Sequence, residues 1–170
     1  MEMKLRRWAL EDAEELAKAL NNKRIQENLR DGLPYPYTVK DAEEYIIEML
    51  NSDCESVFPF AITVQDKAVG SIAVMRRDNI HRLIGELGYY VAESYWGKGI
   101  ATLAIRDITD YVFANTDIIR IYAEPFAYNA ASCRALEKAG YFLEGTLRKN
   151  AIKNGKILDM KLYALVKETE

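Results

Sequence analysis

Two glycines, Gly97 and Gly99, stand between a predicted strand that ends at Val91 and the best predicted helix of the sequence. Glycine allows consecutive backbone amides to turn toward one point, and the start of a helix adds a favourable potential for an anion there. Lys98 supplies a cation beside them. The spacing matches neither the Walker nor the Rossmann glycine pattern. The sequence therefore predicts a strand, a tight loop and a helix that together form a cradle for a diphosphate.

Hydrophobic periodicity divides the rest of the chain into alternating strands and helices. A period of two predicts strands over 3–8, 57–64, 68–75, 82–91, 118–124, 141–147 and 156–166. A period near 3.6 predicts helices over 10–20, 23–30, 99–114 and 129–139, and one more that begins after Thr38. This order predicts a single mixed α/β domain over residues 1–170, mostly antiparallel, with two helical crossovers in its second half.

Two local signals refine this scheme. Pro59 lacks a backbone N–H, so we expect the strand over 57–64 to pair irregularly there or to lie at an edge. Asn154 and Gly155 form a pair typical of tight hairpin turns, which predicts that the last two strands form a hairpin.

The charge balance argues against several classes of protein. The chain carries 23 Lys and Arg residues against 26 Asp and Glu residues, a formal net charge of −3. We therefore do not expect a dedicated nucleic-acid binder. No apolar run reaches the ~20 residues that a membrane-spanning helix needs, so no membrane partner is expected. The first residues are acidic and amphipathic, unlike a signal peptide, and we expect a cytoplasmic protein.

Cysteine and histidine usage predicts no metal site. Cys54 and Cys133 lack CxxC spacing, so neither a disulfide framework nor a structural zinc site is expected. His81 is the single histidine and lies in a turn-like stretch, where a solvated loop residue is a simpler interpretation than a catalyst.

The glycine loop becomes specific in its surroundings. The stretch Trp96-Gly97-Lys98-Gly99-Ile100-Ala101 resembles the Gln/Arg-x-x-Gly-x-Gly/Ala motif of the GNAT acyltransferase superfamily, with tryptophan in place of the usual first residue. A second block, from Asn129 to Tyr141 and then Glu144-Gly145, resembles the family's Asn-x-x-Ser…Leu-Glu-Lys-x-Gly-Phe…Glu-Gly signature. Together they resemble the branch that contains the Rim-type ribosomal-protein N-terminal acetyltransferases.

This resemblance implies a GNAT-like fold, in which a mostly antiparallel central sheet is flanked by helices and splayed at a cofactor cleft. It also implies acetyl-CoA as co-substrate. Backbone groups of Tyr89, Tyr90 and Val91 would pair with the pantetheine arm like an extra strand. The expected cofactor-binding residues of the loop and the next helix are Trp96, Gly97, Lys98, Gly99, Ile100, Ala101 and Thr102, followed by Asn129 and Ser132 at the second block.

Transfer of an acetyl group from a thioester to an amine requires a base for the amine proton and an acid for the leaving thiolate. Many superfamily members place a tyrosine acid seven residues after the motif asparagine, and here that position is Leu136, which cannot donate a proton. Ser132 is the candidate donor to the sulfur, or else it only satisfies backbone groups of the first helical turn. Glu86, inside a predicted central strand, is the preferred base, and Glu124 is the second candidate.

The sequence leaves the acceptor open. The Rim-like motifs favour a protein or peptide N-terminal amine, which we expect to enter past Tyr35, Tyr37 and Tyr128. Residues 1–60 carry 8 basic and 13 acidic side chains, which would suit a polyamine, amino sugar or antibiotic amine equally well. The missing tyrosine acid also allows a coenzyme-A-binding sensor with little turnover. An exposed strand edge or helix face could support a homodimer.

Overall fold

The computed structural model describes residues 2–168, and within them seven strands form one open sheet. The strands are β1 (Met3–Arg6), β2 (Val57–Val64), β3 (Lys67–Arg76), β4 (Ile84–Val91), β5 (Arg120–Ala123), β6 (Phe142–Lys153) and β7 (Lys156–Val166). The helices are α1 (Ala13–Leu20), α2 (Lys23–Gln26), α3 (Val39–Leu50), α4 (Ile100–Asn115) and α5 (Ala130–Lys138). Short 3-10 turns precede α1, β4 and α4 at Leu10–Asp12, Asn79–His81 and Glu93–Tyr95.

The strands lie in the order β1-β2-β3-β4-β5-β7-β6. All neighbouring pairs are antiparallel except β4 and β5, which run parallel. A parallel pair needs a crossover connection, and α4 supplies it between β4 and β5, as α5 does between β5 and β6. The prediction of a mixed α/β fold with a mostly antiparallel sheet and two helical crossovers is confirmed.

Helices cover both faces of the sheet, and each face has its own cluster of buried side chains. The α4-side core includes Ile105 and Ile108 of α4 and Leu136 of α5, which have no exposed surface. The α1-side core includes Leu16 of α1 and Ile46 of α3. Burial of one Leu or Ile side chain contributes about 1.5–3 kcal/mol, so these two layers hold the helices against the sheet.

Neighbouring residues of a strand point into opposite cores. In β2, Ile62 belongs to the α4-side core and Ala61 to the α1-side core. In β4, Leu87 belongs to the α4-side core, whereas Tyr90 packs against the α1-side core. This alternation assigns every side chain of β4 to one face or the other.

The sheet opens between β4 and β5. The two strands pair only where Ile84–Glu86 of β4 lies beside Arg120–Tyr122 of β5. Beyond Glu86, β4 continues to Val91 while β5 ends at Ala123, so this part of β4 has no strand on its β5 side. The gap lies beside the start of α4, as the expected splay requires.

Several predicted boundaries differ from the structure. The helix expected over 23–30 ends at Gln26, because Asn28 and Leu29 donate to carbonyls three residues back and tighten the last turn. The strand expected from residue 82 begins at Ile84, after a 3-10 turn. Pro59 lies on a part of β2 that β1 does not reach, so it is locally at an edge, although its pairing with β3 is regular.

The last two strands form the expected hairpin. Asn154 and Gly155 both have left-handed backbone angles, φ 51° and 76°, which this type of turn requires. The strand expected to end at residue 147 runs on to Lys153, because the polar residues 148–150 bulge out and pairing resumes at Ala151. Those polar residues interrupt the apolar alternation on which the shorter prediction rested.

Within residues 2–168, no three His, Cys, Asp or Glu side chains are grouped so that they could hold a metal ion. No helix in that same range combines the length and the apolar composition that crossing a membrane would require.

Candidate active site

The backbone of β4 alternates in the direction of its hydrogen-bonding groups. Ala92 N donates to Val69 O of β3 at 2.7 Å, and Ile84 O accepts from Arg77 N at 2.8 Å. Even-numbered residues at both ends of β4 therefore direct their backbone groups toward β3. Because this direction alternates along a strand, odd-numbered residues direct theirs into the gap.

This parity divides the backbone residues expected to bind pantetheine. Tyr89 and Val91 face the gap with their backbone groups, as pairing with a pantetheine arm would require. The backbone groups of Tyr90 face β3 instead, where Tyr90 lies opposite Ser71. The prediction that the backbone of Tyr90 contacts a ligand in the gap is therefore wrong. Burial raises the pKa of Tyr90 well above its usual value, and its hydroxyl is buried without a hydrogen-bond partner in the described chain.

The indole of Trp96 folds the loop back onto β4. Its Nε1 donates to the carbonyl oxygen of Val91 at 2.8 Å, and the guanidinium of Arg24 lies 5.5 Å from its ring centroid. The carbonyl of Val91 is therefore already in use. The gap-facing groups left for a ligand on this part of β4 are the N–H of Val91 and both backbone groups of Tyr89.

The loop before α4 has the geometry of an anion cradle. Gly97 and Gly99 adopt φ of 74° and 75°, the left-handed region that other residues enter at a cost. The first backbone bond of α4 runs from Leu103 N to Gly99 O at 3.2 Å. The amides of Ile100, Ala101 and Thr102 consequently have no acceptor among residues 2–168, and the first turn contains no acidic residue. These groups fit a diphosphate.

Lys98, the expected cation of the cradle, lies with its Nζ 5.0 Å from the ring centroid of Tyr95. The turn that carries Tyr95 is tied to the start of α2, because Glu93 forms an ion pair with Arg24 and accepts from Asn22 Nδ2 at 2.7 Å. Sequence reasoning missed this connection, since nothing in the local pattern relates residues about seventy positions apart.

The second sequence block forms the start of α5 beside β4. Asn129 Oδ1 accepts from Ser132 N at 3.2 Å and so caps the helix. The hydroxyl of Ser132 forms a hydrogen bond with the hydroxyl of Tyr89, which also donates to Ser132 O at 3.3 Å. Ser132 is thus paired with a side chain and does not satisfy the backbone of its own turn. Burial raises the pKa of Tyr89 to about 12.

Glu86 lies on the α1 face at the point where β4 and β5 separate. Tyr122 OH donates to Glu86 Oε2 at 3.1 Å, and Arg77 Nη1 donates to the same Tyr122 hydroxyl. Arg30 Nη2 lies 3.7 Å from Glu86 Oε1. The carboxylate is therefore paired. Burial is the larger cause that raises the pKa of Tyr122, and the negative charge of Glu86 is the second. The phenol therefore stays protonated.

Glu124 lies on the same face, one strand further, in a cleft of about 240 Å³. Arg30 Nη2 donates to its backbone carbonyl at 3.3 Å, but no side chain among residues 2–168 binds its carboxylate. An ion pair of 2.8 Å between Lys153 Nζ and Asp31 Oδ1 links the two walls of the cleft. The lining residues are Leu29, Arg30, Asp31, Glu124, Phe126, Asn150, Ala151, Ile152, Lys153 and Met160.

The three tyrosines expected near the acceptor differ in their surroundings. Tyr37 is 4% exposed and belongs to the α1-side core, so its predicted position at an acceptor mouth is wrong. Tyr35 and Tyr128 are exposed. Tyr128 OH donates to Glu27 O at 3.0 Å, and its ring stacks on Phe126, which lines the cleft.

Relatives with this sequence pattern are acetyltransferases. Residues 2–141 match the family described as Acetyltransferase (GNAT) domain. The chain is 32% identical over 133 residues to the probable N-acetyltransferase YjcK of Bacillus subtilis, which covers 76% of this chain and 74% of that protein. It is 25% identical over 111 residues to the ribosomal-protein-serine acetyltransferase of Escherichia coli, an alignment that covers 65% of this chain and 62% of that protein. It is 28% identical over 102 residues to the spermidine N(1)-acetyltransferase of Vibrio cholerae, an alignment that covers 59% of this chain and 58% of that protein.

Solved structures share the fold over nearly the whole chain. The microcin C7 self immunity acetyltransferase MccE, in complex with acetyl-CoA and AMP, matches with a TM-score of 0.82 at 26% identity, covering 97% of this chain and 92% of that one. RimL, a ribosomal L7/L12 alpha-N-protein acetyltransferase in complex with coenzyme A, matches with a TM-score of 0.85 at 20% identity, covering 97% and 94%.

The open edge of β4 and the uncapped start of α4 form a site that suits an extended arm ending in a diphosphate. The family match extends over most of the chain and includes both of these features. The chain therefore belongs to the GNAT acetyltransferase family and is an N-acetyltransferase that uses acetyl-CoA as its co-substrate.

Proposed function

We propose that this enzyme acetylates the N-terminal amine of a protein or peptide, which enters through the cleft beside Glu124. The observation that carries the proposal is the charge of this cleft. Asp31 of the cleft is paired with Lys153. Glu86 does not line the cleft, and it is paired with Tyr122 and with the lining residue Arg30. The carboxylate of Glu124 is left to receive one ammonium group.

A cleft of this kind suits a chain end with a single positive charge. A polyamine carries several ammonium groups, whereas Glu124 is the one carboxylate at the described cleft without a side-chain partner to receive them. Apolar side chains at the cleft, Leu29, Phe126, Ile152 and Met160, add a surface for the first side chains of a peptide. The similarity to the ribosomal-protein-serine acetyltransferase supports the same class of acceptor.

The pantetheine arm would lie along the gap-facing backbone of Tyr89 and Val91, with the diphosphate at the amides of Ile100–Thr102. Asn129 has its side-chain amide nitrogen available for the arm, since only its Oδ1 is used in capping. Amides of β4 that face the gap can polarise the thioester carbonyl.

At the carbonyl carbon of the thioester, one bond forms and one breaks. The amine nitrogen attacks the carbonyl carbon, a C–N bond forms, and the C–S bond breaks. We assign the amine proton to Glu124, whose carboxylate is available, and assign to Glu86 the role of holding Tyr122 and Arg30 in place. The thiolate accepts a hydrogen bond from Ser132 and takes its proton from solvent.

We also propose that the enzyme forms a homodimer. The hairpin of β6 and β7 presents exposed apolar side chains, namely Phe142, Leu143, Ile152 and Ile157. Light scattering coupled to size exclusion measures the mass directly, and a mass of one chain at micromolar concentration would contradict the dimer.

Labelled acetyl-CoA tests the acceptor. We expect label on peptides with a free N-terminus. We expect no label on the same peptides with a formylated N-terminus, in which an internal lysine is the remaining amine. Spermidine and an aminoglycoside serve as the small-amine panel, since a spermidine N(1)-acetyltransferase is among the relatives. Faster turnover of either small amine would overturn the proposed acceptor. Tight binding of coenzyme A with no turnover of any amine would indicate a sensor.

A further inference from the structure

We propose that Tyr89 is a positioning residue that directs the hydroxyl hydrogen of Ser132 toward the sulfur of the leaving thiolate. The inference rests on the proposed role of Ser132 at the sulfur and deepens it. Tyr89 has its backbone on the gap and its hydroxyl at the start of α5, so one residue touches both the arm's path and the proposed donor.

Within the described chain, the hydrogen bonds of the Tyr89 hydroxyl go to Ser132. Its partners among residues 2–168 are the Oγ and the backbone carbonyl of Ser132. The backbone of Ser132 is itself fixed, because its N–H donates to Asn129 Oδ1 at 3.2 Å. The first turn of α5 therefore holds the backbone of Ser132 in place beside the phenol.

The direction of the hydrogen bond follows from acidity. A phenol is a stronger acid than an aliphatic alcohol, so the favoured arrangement has Tyr89 O–H donating and Ser132 Oγ accepting. The phenol has a single hydrogen, and Ser132 Oγ is its nearer acceptor, because the backbone carbonyl of Ser132 lies farther away, at 3.3 Å. The hydrogen of Ser132 then points away from the ring, where the gap and the sulfur would receive it.

Tyr89 stays protonated while it does this. Its ring packs against the α4-side core, and the titratable groups that face it from α5 and from the residue before β6 are Cys133 and Tyr141. Neither is a cation that would favour a tyrosinate. Tyr89 thus acts through Ser132 and does not transfer its own proton to the thiolate.

This arrangement accounts for the missing tyrosine acid. Leu136 occupies the position where many superfamily members have that tyrosine. It has no exposed surface and packs in the α4-side core. A tyrosine hydroxyl still reaches the first turn of α5, but it belongs to Tyr89 of β4 and forms a hydrogen bond with Ser132.

The substitution Tyr89→Phe removes the hydroxyl and keeps the ring. We expect kcat to fall about five- to tenfold, as loss of one hydrogen bond predicts, with KM for acetyl-CoA within twofold of wild type. Combined with Ser132→Ala, it should add no further loss, because the two act as one unit. Tyr141→Phe is the matched control: it removes another buried hydroxyl, bonded to Thr109 at 2.7 Å, and should leave kcat unchanged.

Each outcome of this cycle is decisive. Additive losses for Tyr89→Phe and Ser132→Ala would overturn the coupling, as would a Tyr89→Phe enzyme of wild-type rate. If Ser132→Ala retains the wild-type rate, the serine has no role at the sulfur and the inference fails, while acetyl transfer itself stands. Failure of the wild-type enzyme to acetylate any amine would instead refute the proposed function.

A second variant applies if Tyr89→Phe does not fold. Difluorotyrosine at position 89 keeps the ring and the hydroxyl but makes the phenol more acidic. The pH at which kcat declines should then move down into the measurable alkaline range, because an ionised phenol no longer donates to Ser132. An unchanged pH profile would contradict the role of Tyr89 as donor.

Discussion

Glu86 and Ser132 lie on opposite faces of the sheet, with the gap between β4 and β5 separating them. Glu86 contacts Tyr122 and Arg30 on the α1 face, whereas Ser132 contacts Tyr89, whose ring packs with the α4-side core. A thioester held in the gap would be reached by an amine from one face and would release its sulfur toward the other. Acceptor binding and coenzyme A binding would then depend on different residues.

The backbone shape of the loop should govern coenzyme A affinity. Gly99 has φ of 75°, and valine at this position would strain the loop and place a side chain where the diphosphate approaches the amides. We expect Gly99→Val to weaken acetyl-CoA binding at least a hundredfold, measured by titration calorimetry. Gly155→Val is the matched control, since Gly155 has φ of 76° in the distant hairpin, and its affinity should stay at the wild-type value.

The cation of the loop should contribute less than its backbone. Lys98 is one exposed charge beside several amide donors, so Lys98→Ala should cost about 1 kcal/mol of acetyl-CoA binding, a factor of roughly five. The same calorimetry compares the two variants directly. A greater loss for Lys98→Ala than for Gly99→Val would refute the amide cradle.

Local patterns were sufficient for much of the fold. The start of α3 after Thr38, the loop before α4 and the hairpin turn at Asn154 depend on residues close in sequence, and all three agree with the structure. The extent of β6 could not be predicted in this way, because pairing with β7 resumes at Ala151 after three polar residues. Only the partner strand decides that.

The candidate site was less accessible to sequence reasoning. Tyr89 and Ser132 are 43 positions apart, and neither local pattern nor spacing indicates that their hydroxyls meet. The contact of Arg30 with Glu86 likewise arises from the packing of the α2 loop against the sheet. The backbone direction of Tyr90 depends on the register with β3, which a one-residue shift would invert.

Close approach of β3 and β4 makes Gly70 sensitive to substitution. A Cβ at this position would overlap the carbonyl oxygen of Tyr90, which is backbone and cannot move aside easily. We expect Gly70→Ala to lower the free energy of unfolding by about 2 kcal/mol in urea titrations. Gly88→Ala on the neighbouring strand is the control, because a Cβ there meets nothing within 4 Å, and its effect should stay within about 0.5 kcal/mol.

The ion pair of Asp12 with Arg6 should make stability depend on acid pH. Burial alone would raise the pKa of Asp12, but hydrogen bonds from Arg6 and from Ala9 N outweigh burial and lower it. A carboxyl with a lowered folded-state pKa stabilises the fold above its unfolded pKa of about 3.9 and loses that contribution as the pH falls further. Asp12→Asn should therefore cost about 2 kcal/mol at pH 7 and progressively less below pH 4.

Asp66 provides the comparison for this measurement. It binds the same Arg6, at 2.8 Å from Nε, but its side chain is 87% exposed, against 9% for Asp12. Asp66→Asn should change the free energy of unfolding by less than about 0.5 kcal/mol at any pH. Equal effects of the two substitutions would show that burial of Asp12 adds nothing.

The two carboxylates of the α1 face should differ in their effect on catalysis. Glu124 has no side-chain partner in the described chain, so Glu124→Gln should lower kcat/KM about 10²- to 10³-fold with coenzyme A affinity unchanged. The loss should shrink above pH ~8, because an α-amine with a pKa near that value then arrives deprotonated. Glu86→Gln keeps an oxygen for Tyr122 to donate to and should lose less than about tenfold in kcat/KM.

Full pH profiles of both variants distinguish the roles of Glu124 and Glu86. A collapsed Glu86→Gln beside a normal Glu124→Gln would make Glu86 the base, and near-normal rates for both would assign the proton to water.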